Sequence, residues 1–300
     1  MPGPQDISEH SLISRLRRRA WKLLESALSP LSDRAYLSVR FRRKHGRWPE
    51  VTRPRSFSEH ILAYKLRSRG DQRFVRLADK AAVKTFIAER VGEQHVIPTL
   101  WSGSTRMPPR HQREWPIPFV IKGTHGWNSQ VFVTRLSDLD WDILEPKCES
   151  MLRQVHGRKT REWHYSHIEP GLIVEAFIGD APTPPNDIKL FVFAGRVELI
   201  EVDQGRYAEH SRFLFDREWR QHDFQLRHPS RGLAPPPPRR LHEMIVLAEK
   251  LAKDLEFVRV DLYDVPAGLF VGELTFFPGA GDVGFKPVLA DYMVGRHWKA

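Results

Sequence analysis

Apolar side chains recur at helical spacing in four stretches, which we predict to be helices: residues 8–28, 57–90, 138–155 and 239–254. The second stretch has a candidate N-cap at Ser56 or Ser58, and Gly92 suits its C-cap. Four prolines at 235–238 precede the last stretch and are expected to form a stiff spacer.

Short apolar runs between these helices predict strands, and most of the runs contain an internal turn signal. The runs are "HVIPTL" (95–100), "FVIKGTHGWNSQVFV" (119–133), "GLIVEAFIG" (171–179), "DIKLFVFAGRVELIEV" (187–202) and "FVRVDLYDVPAGLFVGELTFFPGAG" (257–281). The fourth run is predicted to turn at Ala194-Gly195. Because hairpins and helices occur in separate blocks, the pattern predicts an α+β fold with antiparallel sheets.

The last hairpin carries two carboxylates in strands that are otherwise apolar. Facing residues of a hairpin have a constant index sum, and a turn centred near Ala267 gives 534, which Asp261 and Glu273 satisfy. Their Cβ atoms would then lie about 5 Å apart. Arg259 shares the face of Asp261, and Thr275 shares the face of Glu273, because side chains alternate with a period of two.

Two facing carboxylates raise each other's pKa unless a cation lies between them. Mg²⁺ suits such a pair, since it takes one or two carboxylates and completes its shell with water and phosphate oxygens. Alternatively, Arg259 neutralises both carboxylates without a metal. A general acid–base pair of the glycosidase type is a third interpretation, but no other feature of the sequence supports it.

Other polar residues interrupt apolar segments. Lys122 ends "PFVIK" just before "GTHGWN", where a cation and backbone N–H groups suit a polyphosphate. Lys80 lies in "ADKAAVK", Glu175 interrupts "LIVEAFIG", and Asp187 and Lys189 begin the next strand. Each also has an ordinary explanation as a solvated residue at a strand end or helix start. The chain has no P-loop and no Rossmann glycine motif, so nucleotide binding requires a different cradle.

The positive charge is concentrated near the N-terminus. The net charge is +10, and residues 1–55 hold 13 Lys/Arg against 5 Asp/Glu, so the remainder is nearly neutral. This distribution argues against nucleic-acid binding by the body of the protein. The basic amphipathic helix predicted over 8–28 leaves two interpretations open, contact with an anionic membrane surface and docking on the protein itself.

The cysteine content and the hydropathy of the chain bear on its expected cellular location and on the metal sites that it can form. The single cysteine, Cys148, excludes an internal disulfide framework and a Cys-based zinc cluster, and it is expected to be a small buried residue. His156, His164 and His167 do not match a zinc spacing and are interpreted as surface and loop residues. No apolar run is long enough to span a bilayer, and no secretory leader is evident. A cytoplasmic location is expected, with peripheral contact at the inner face of the membrane left open.

Taken in order, these motifs resemble the ATP-grasp superfamily, and in particular its TupA-like branch, which is associated with bacterial cell-surface polysaccharide and teichuronopeptide biosynthesis. The similarity runs from about residue 35 to residue 298. It is carried by "SFSEHILAYKL", "LADKAAVKTFIAERVGEQHVIPTL", "FVIKGTHGW", "IVEAFIGD", "NDIKLFVFAG", "RVDLYDV" and "GELTFFPGAG". The resemblance implies two α+β lobes that clamp ATP between antiparallel sheets.

The resemblance also implies a division of the chain and a set of roles. The four segments are a basic helical segment (1–55), a helical region (56–115), a small lobe (116–180) and a large lobe with the metal site (181–300). The implied nucleotide contacts are Lys80 and Lys122 on the phosphates, Glu175 with Ala176, Phe177 and Ile178 on adenine, and Asp187 or Lys189 near the ribose or phosphates. The implied Mg²⁺ ligands are Asp261 and Glu273, with Arg259 close to the transferred phosphate.

The sequence departs from the superfamily pattern at two places. Many ATP-grasp enzymes carry Asn two residues after the metal-binding Glu, and this chain has Thr275, a poorer and neutral ligand, so a second metal position is in question. Bulky Trp127 replaces a glycine run in the phosphate loop, which is expected to make that loop less mobile.

The activity implied by the resemblance is ATP-dependent joining of a carboxylate and an amine through an acyl phosphate. The carboxylate is expected to come from a uronic acid or an amino acid, and Arg206 and Arg212 are candidates to bind an acidic substrate. The alternatives are a phosphotransferase, a glycan-modifying transferase, an inactive ATP-binding scaffold, and a basic protein that binds membrane or nucleic acid. A homodimer is left open.

Overall fold

The structure, a computed structural model, describes residues 24–104, 106–205 and 210–298. The chain forms two compact units, Met1–Pro49 and Glu50–Ala300. In the part of the chain that is described, no helix is both long enough and apolar enough to cross a membrane.

The main helix of the first unit is α1 (Asp33–His45). The Ser32 hydroxyl accepts from the N–H of Ala35, and Gly46 ends the helix at φ 74°, a left-handed conformation that glycine adopts without steric cost. Residues 8–23 of the predicted amphipathic helix lie outside the described residues, so the two interpretations of that helix stay open.

Six helices of the second unit are relevant here: α2 (Phe57–Arg67), α3 (Gln72–Ala78), α4 (Val83–Val91), α5 (Trp141–Leu152), α6 (Leu241–Ala252) and α7 (Val288–Gly295). The predicted caps are confirmed, since Ser56 forms a capping box with Glu59 and Gly92 follows α4 at φ 107°. The helical stretch predicted over 57–90 consists of three helices, α2, α3 and α4. Asp71 and Asp79 accept from backbone N–H groups two residues on, which starts a new turn at each position.

A four-stranded antiparallel sheet, the small sheet, contains β1 (Thr99–Gly103), β2 (Phe119–Gly123), β3 (Gln130–Val133) and β4 (Leu172–Ala176) in the order β1-β4-β2-β3. Helix α5 covers it with buried Leu144, Cys148 and Met151, as predicted for the cysteine. The strand predicted over 95–100 begins only at Thr99. The preceding residue, Pro98, has no N–H to donate to a ladder, and its carbonyl accepts from Ala176 instead.

The five-stranded antiparallel large sheet contains β5 (Ile188–Phe193), β6 (Arg196–Gln204), β7 (Ser211–Phe215), β9 (Phe257–Val265) and β10 (Gly268–Thr275), in the order β10-β9-β5-β6-β7. A two-residue sheet pairs β8 (Gln225–Leu226) with β11 (Phe285–Lys286). The predicted turn at Ala194-Gly195 is confirmed, since both residues have positive φ, 46° and 79°. Every residue of β5 is buried because the strand is paired on both edges.

The larger of the two hydrophobic cores lies on the large sheet. Helices α2 and α6 pack there, and Phe57 contacts Phe191, Phe257 and Phe285 with ring centroids 5.3 to 6.0 Å apart. Helix α7 is fixed by the buried carboxylate of Asp291, which accepts from the N–H and hydroxyl of Ser58 and from the N–H of Phe285. Neither α7 nor the short β8–β11 pair was predicted from the sequence.

Candidate active site

The predicted pairing of Asp261 with Glu273 is confirmed, but the register that produces it differs from the predicted one. Close to the turn the strands pair with Gly268 opposite Val265, so the turn is Pro266-Ala267. A β-bulge at Gly272 then adds one residue to β10 and brings Glu273 opposite Asp261. A Cβ at Gly272 would lie 2.7 Å from the ring of Tyr263, so the bulge requires a glycine.

The two carboxylates belong to a line of ionisable residues that crosses four strands. Asp261 on β9 is opposite Lys189 on β5, and Lys189 is opposite Glu201 on β6. Residues directly opposite in antiparallel strands point to the same face of the sheet. Glu273, Asp261, Lys189 and Glu201 therefore form one transverse row on the large sheet, which we call the charged row.

Arg259 bonds to the side chains at the acidic end of this row. Its guanidinium donates to both oxygens of Asp261 at 2.6 and 2.7 Å, to Glu273 Oε1 at 3.3 Å and to Thr275 Oγ1 at 3.1 Å. The oxygens of all three residues thus converge on one cationic group. This convergence matches the interpretation in which Arg259 neutralises the carboxylates, and the same oxygens are the donor types that Mg²⁺ takes.

Burial and charge act in opposite directions on the two carboxylates. Burial raises the pKa of Asp261 to about 7, although Arg259 and Lys189 act against the rise. Burial also acts to raise the pKa of Glu273, but Lys80 and Arg259 outweigh it and hold that pKa below its usual value. Lys80 lies in the segment between α3 and α4. Because its charge lowers the pKa of Glu273, the two residues belong to one electrostatic site.

Lys80 is joined to the loop that follows β2. Its ammonium donates to the carbonyl of Gly126, and its backbone N–H donates to the carbonyl of Thr124 at 3.2 Å. Burial lowers the pKa of Lys80, and Glu273 opposes that shift. In the same loop, a Cβ at Gly126 would overlap the imidazole of His156, so the loop and this histidine are closely packed.

A second cluster of lysines surrounds Glu175 on the small sheet. Its two carboxylate oxygens lie 2.5 Å from Lys84 Nζ and 2.6 Å from Lys122 Nζ. Burial acts to raise the pKa of Glu175, but the two lysines outweigh it and lower that pKa. Lys84 also donates to the carbonyl of Ile97 at 2.6 Å. The sequence did not indicate Lys84, although it follows Lys80 by four residues.

A cavity of about 280 Å³, the smaller cavity, lies beside this cluster. Its wall includes the segment that follows β4, in which Ala176 and Phe177 donate their N–H groups to the carbonyls of Pro98 and Pro118. The N–H of Ile178, the next lining residue, has no partner among the described residues. Apolar side chains complete most of the remaining wall: Ile97, Val120, Phe132, Pro185 and Tyr263.

Asp187 and Lys189 lie where this cavity meets the large sheet. Lys189 Nζ is 3.1 Å from a carboxylate oxygen of Asp187 and 3.1 Å from one of Asp203. Burial lowers the pKa of Lys189, but Asp261 and Asp187 outweigh it and raise the pKa overall. The lysine is therefore held in its charged form at the centre of the charged row.

A second cavity of about 540 Å³, the larger cavity, lies over the other part of the charged row. Its lining includes Arg259, Glu273 and Thr275 on one side and Arg212 and Arg227 on the other. Arg212 is bonded to Asp203 at 2.7 and 3.0 Å and lies 2.9 Å from Glu201. Arg206, the other predicted substrate arginine, lies outside the described residues.

The histidines form no metal site in the described part of the chain, where no group of three His, Cys, Asp or Glu side chains could hold an ion. The interpretation of His164 as a surface residue is wrong. It is 1% exposed and packs beside Tyr165 and Phe277, and burial lowers its pKa to about 3.

The family comparison bears on the whole second unit. The model of the TupA-like ATP-grasp family matches residues 60–299, four fifths of the chain. The chain belongs to the TupA-like ATP-grasp family. The predicted resemblance is confirmed, and the mixed helical and antiparallel architecture is the ATP-grasp fold. No curated protein matches the chain.

Solved structures similar to this ATP-grasp chain are distant from it. D-alanine–D-alanine ligase from Bacillus anthracis has 15% identity and a TM-score of 0.42 over 68% of this chain and 58% of that one. L-amino acid ligase from Bacillus licheniformis has 12% identity and a TM-score of 0.42 over 69% and 44%. The ATP-grasp ligase PsnB, solved with a precursor variant, Mg and ADP, has 12% identity and a TM-score of 0.43 over 81% and 66%. This chain thus spans less than two thirds of the first two relatives.

Proposed function

We propose that the chain is an ATP-dependent ligase that joins a carboxylate to an amine in bacterial cell-surface polysaccharide biosynthesis, of the capsule or teichuronopeptide type. The observation that carries the proposal is the convergence of oxygens from Asp261, Glu273 and Thr275 on one cation position, with Lys80 acting on the charge of Glu273. Binding of a nucleoside triphosphate requires a cation held by carboxylates, together with a lysine nearby that can contact the phosphates.

In this proposal ATP occupies the smaller cavity. Adenine lies against the segment Ala176, Phe177 and Ile178, where the N–H of Ile178 is available to a ring nitrogen. Glu175 lies beside the same segment and is placed for the exocyclic amino group. Asp187 lines this cavity, and its partner Lys189 lines the larger cavity; one or both are proposed to lie near the ribose or the phosphates.

Lys80 and Lys122 are proposed to contact the phosphates. Lys122 lines the smaller cavity and is held by Glu175, while Lys80 lies between the phosphate loop and Glu273. Both ammonium groups would neutralise phosphate oxygens without large rearrangement, because their positions are set by buried partners.

Asp261 and Glu273 are proposed to bind Mg²⁺, with the Thr275 hydroxyl as a weaker third ligand. When bound, the ion would neutralise charge on the phosphate oxygens. Arg259 would then exchange part of its contact with the carboxylates for the transferred phosphoryl group. It remains cationic in either position, since Asp261 and Glu273 raise its pKa against the effect of burial.

The proposed reaction has two steps. An oxygen of the substrate carboxylate attacks the γ-phosphorus of ATP, the bond to the ADP oxygen breaks, and an acyl phosphate forms. The nitrogen of the amine then attacks the acyl carbon, phosphate leaves, and the nitrogen loses a proton to give the amide. Lys122 and Arg259 are proposed to stabilise negative charge on the transferred phosphoryl group, which is mainly a matter of position and electrostatics.

The larger cavity is proposed to receive the carboxylate substrate, a uronic acid or an amino acid, and the amine. Arg206 and Arg212 remain the proposed substrate-binding residues. Arg212 lines this cavity, and its ion pairs with Asp203 and Glu201 fix the direction in which it points.

The decisive experiment measures ADP release with and without an amine, using ATP, Mg²⁺ and a uronic acid or amino acid. We expect ADP release to depend on the amine and an amide product to appear in equal amount. A phosphotransferase would release ADP and phosphorylate its substrate without an amine. Glu273→Gln is expected to abolish the amine-dependent ADP release, and unchanged turnover in that variant would contradict the proposed metal site.

The N-terminal segment offers a separate test. We propose that residues 1–55 are not needed for ATP binding, and that the remaining segments 56–115, 116–180 and 181–300 form the ligase at the cytoplasmic face of the membrane. A chain without residues 1–49, the first compact unit, is expected to keep ATP binding. If ATP binding is lost together with the basic charge, the division into a basic segment and an independent ligase is wrong. Sedimentation of the same two chains tests whether a homodimer forms.

A further inference from the structure

Among the described residues, four permanently basic side chains line the larger cavity, and three of them already have carboxylate partners. Lys189 pairs with Asp187 and Asp203, Arg212 pairs with Asp203 and Glu201, and Arg259 pairs with Asp261 and Glu273. Because each of these cations already faces two carboxylates, a further anion is attracted to it less strongly than to an unpaired guanidinium.

Arg227 is the exception. It lines the same cavity, its side chain is exposed, and no residue within 24–104, 106–205 or 210–298 pairs with its guanidinium. A guanidinium in a concave site presents several donors in a fixed plane that matches a carboxylate or a phosphate. Among the described residues that line the cavity, Arg227 is thus the cation left available for a bound molecule.

The backbone at Arg227 is held in an unfavourable conformation. Its φ is 68°, and the N–H of His228 donates to the carbonyl of Leu226 at 2.8 Å, so that Arg227 is the central residue of a tight three-residue turn. Turns of this kind with positive φ at a non-glycine residue are rare and strained. Strain of this type is concentrated at binding and catalytic sites, where surrounding contacts maintain it.

Several hydrogen bonds maintain the turn. Arg212 donates from its guanidinium to the carbonyl of Leu226 at 3.2 Å and from its backbone to the carbonyl of Pro229 at 3.2 Å. The hydroxyl of Ser230 donates to the carbonyl of Arg212 at 2.7 Å. The ring of His228 stacks on His210 with centroids 3.9 Å apart. These contacts with β7 and its neighbours thus hold Arg227 in a backbone conformation that is unfavourable by itself.

We propose that Arg227 binds an anionic group of a substrate, a carboxylate or a phosphate, in the larger cavity. This inference rests on the proposed function, since it identifies a specificity-determining residue of the same site. It adds a further contact to those proposed for Arg206 and Arg212. The substrate carries this charge on a group other than the carboxylate that reacts, because the reacting carboxylate must lie at the γ-phosphate.

The test compares Arg227→Gly with Arg231→Gly. Glycine accepts a φ of 68° without strain, so the first variant keeps the turn and removes only the guanidinium. Arg231 is an exposed arginine on the same loop that does not line the cavity, and it bonds to Ser211 through backbone groups alone. Both variants lose one positive charge, so they differ in position and not in net charge.

Binding is measured by titrating inorganic phosphate and, separately, D-glucarate, a sugar acid with a second carboxylate, with the nucleotide site filled by a non-hydrolysable ATP analogue and Mg²⁺. The signal is the indole N–H resonance of Trp127, which lines the same cavity and is assigned with Trp127→Phe. We expect Arg227→Gly to raise the dissociation constant of the preferred anion about tenfold to hundredfold. We expect Arg231→Gly to bind as the wild type does. The anion that binds more tightly identifies the source of the charge.

Three results would overturn the inference: neither anion shifts the Trp127 signal in the wild type, Arg227→Gly binds as tightly as the wild type, or Arg227→Gly lowers the melting temperature in parallel with affinity. The proposed function fails separately. If the ATP analogue does not bind, or if Lys122→Met leaves its binding unchanged, the nucleotide assignment is wrong while dependence of anion binding on Arg227 still stands.

Discussion

Glu273 lies opposite Asp261 because β10 contains one residue more than β9 between this pair and the turn. The extra residue is Gly272, and β6 has a comparable irregularity near Glu198, which brings Lys189 opposite Glu201. A shift of one residue moves a side chain to the other face of a sheet. The charged row therefore depends on two bulges.

The first prediction concerns Gly272. A methyl group there would lie 2.7 Å from the ring of Tyr263 and 3.3 Å from the carbonyl oxygen of Asp261. Gly272→Ala is expected to lower the free energy of unfolding by about 1–3 kcal/mol through overpacking, measured by urea denaturation. The double variant Gly272→Ala/Tyr263→Leu is expected to recover part of the loss. Strictly additive effects in this double-mutant cycle would contradict the proposed contact.

The second prediction concerns Lys84. Lys84→Met leaves Glu175 with a single cationic partner, Lys122, which would then be drawn away from the phosphates. The KM for ATP is expected to rise about tenfold, since a charged hydrogen bond of this kind contributes about 1.5 kcal/mol. Lys147→Met, in which an exposed lysine of α5 is replaced, is the matched control. Equal KM values in the two variants would exclude a role for Lys84 in placing Lys122.

The third prediction concerns pH and His164. Burial lowers the pKa of this histidine from 6.5 to about 3, so the unfolded chain binds a proton between these values that the folded chain does not bind. The contribution of His164 to stability is therefore expected to be constant above about pH 6.5 and to fall by about 1.4 kcal/mol per pH unit as the pH decreases from 6.5 towards 3. His164→Phe keeps the ring and removes the titrating group.

The measurement is the free energy of unfolding of the wild type and of His164→Phe at several pH values between 4 and 7. The slope of the unfolding free energy against pH is expected to be smaller in the variant, by the amount that corresponds to the uptake of about one proton. His60 and His156, whose pKa values burial lowers to about 4, continue to contribute in both proteins. Parallel curves for the two proteins would show that His164 is protonated in the folded state.

The fourth prediction concerns Asp291. Asp291→Ala leaves the N–H and hydroxyl of Ser58 and the N–H of Phe285 without their acceptor. The loss is expected to be about 3 kcal/mol of unfolding free energy, because buried donors without partners are costly. Asp291→Asn keeps one acceptor oxygen and is expected to lose less. Asp180→Ala, at an exposed position, is the control. A similar loss in the control variant would contradict the proposed anchor.

The sequence predicted much of this fold because its signals are local. Ser56 and Gly92 mark helix ends through their own side chain or conformation, and the turn at Ala194-Gly195 is set by two residues. The facing of Asp261 and Glu273 was also predicted, although the assumed index sum exceeds by one the sum observed next to the turn, and the bulge at Gly272 supplies the difference. Periodicity alone does not indicate a bulge.

What the sequence did not predict depends on contacts between distant segments. The ion pair of Lys84 with Glu175 joins α4 to β4, and an isolated lysine in a helical pattern resembles any solvated lysine. The burial of His164 follows from the packing of Phe277, which is far along the chain. Arg227 was missed because its only local signal is a strained turn, and sequence patterns give no value of φ.

The strand order has a consequence for synthesis on the ribosome. The fully buried strand β5 lies between β6 and β9, and β9 does not begin until Phe257. While the intervening chain is being translated, β5 has β6 beside it but its other edge is open, and an open apolar edge is a template for pairing with a second nascent chain. Until translation passes Phe257, the yield of folded protein therefore depends on how well this edge is shielded from neighbouring polypeptides.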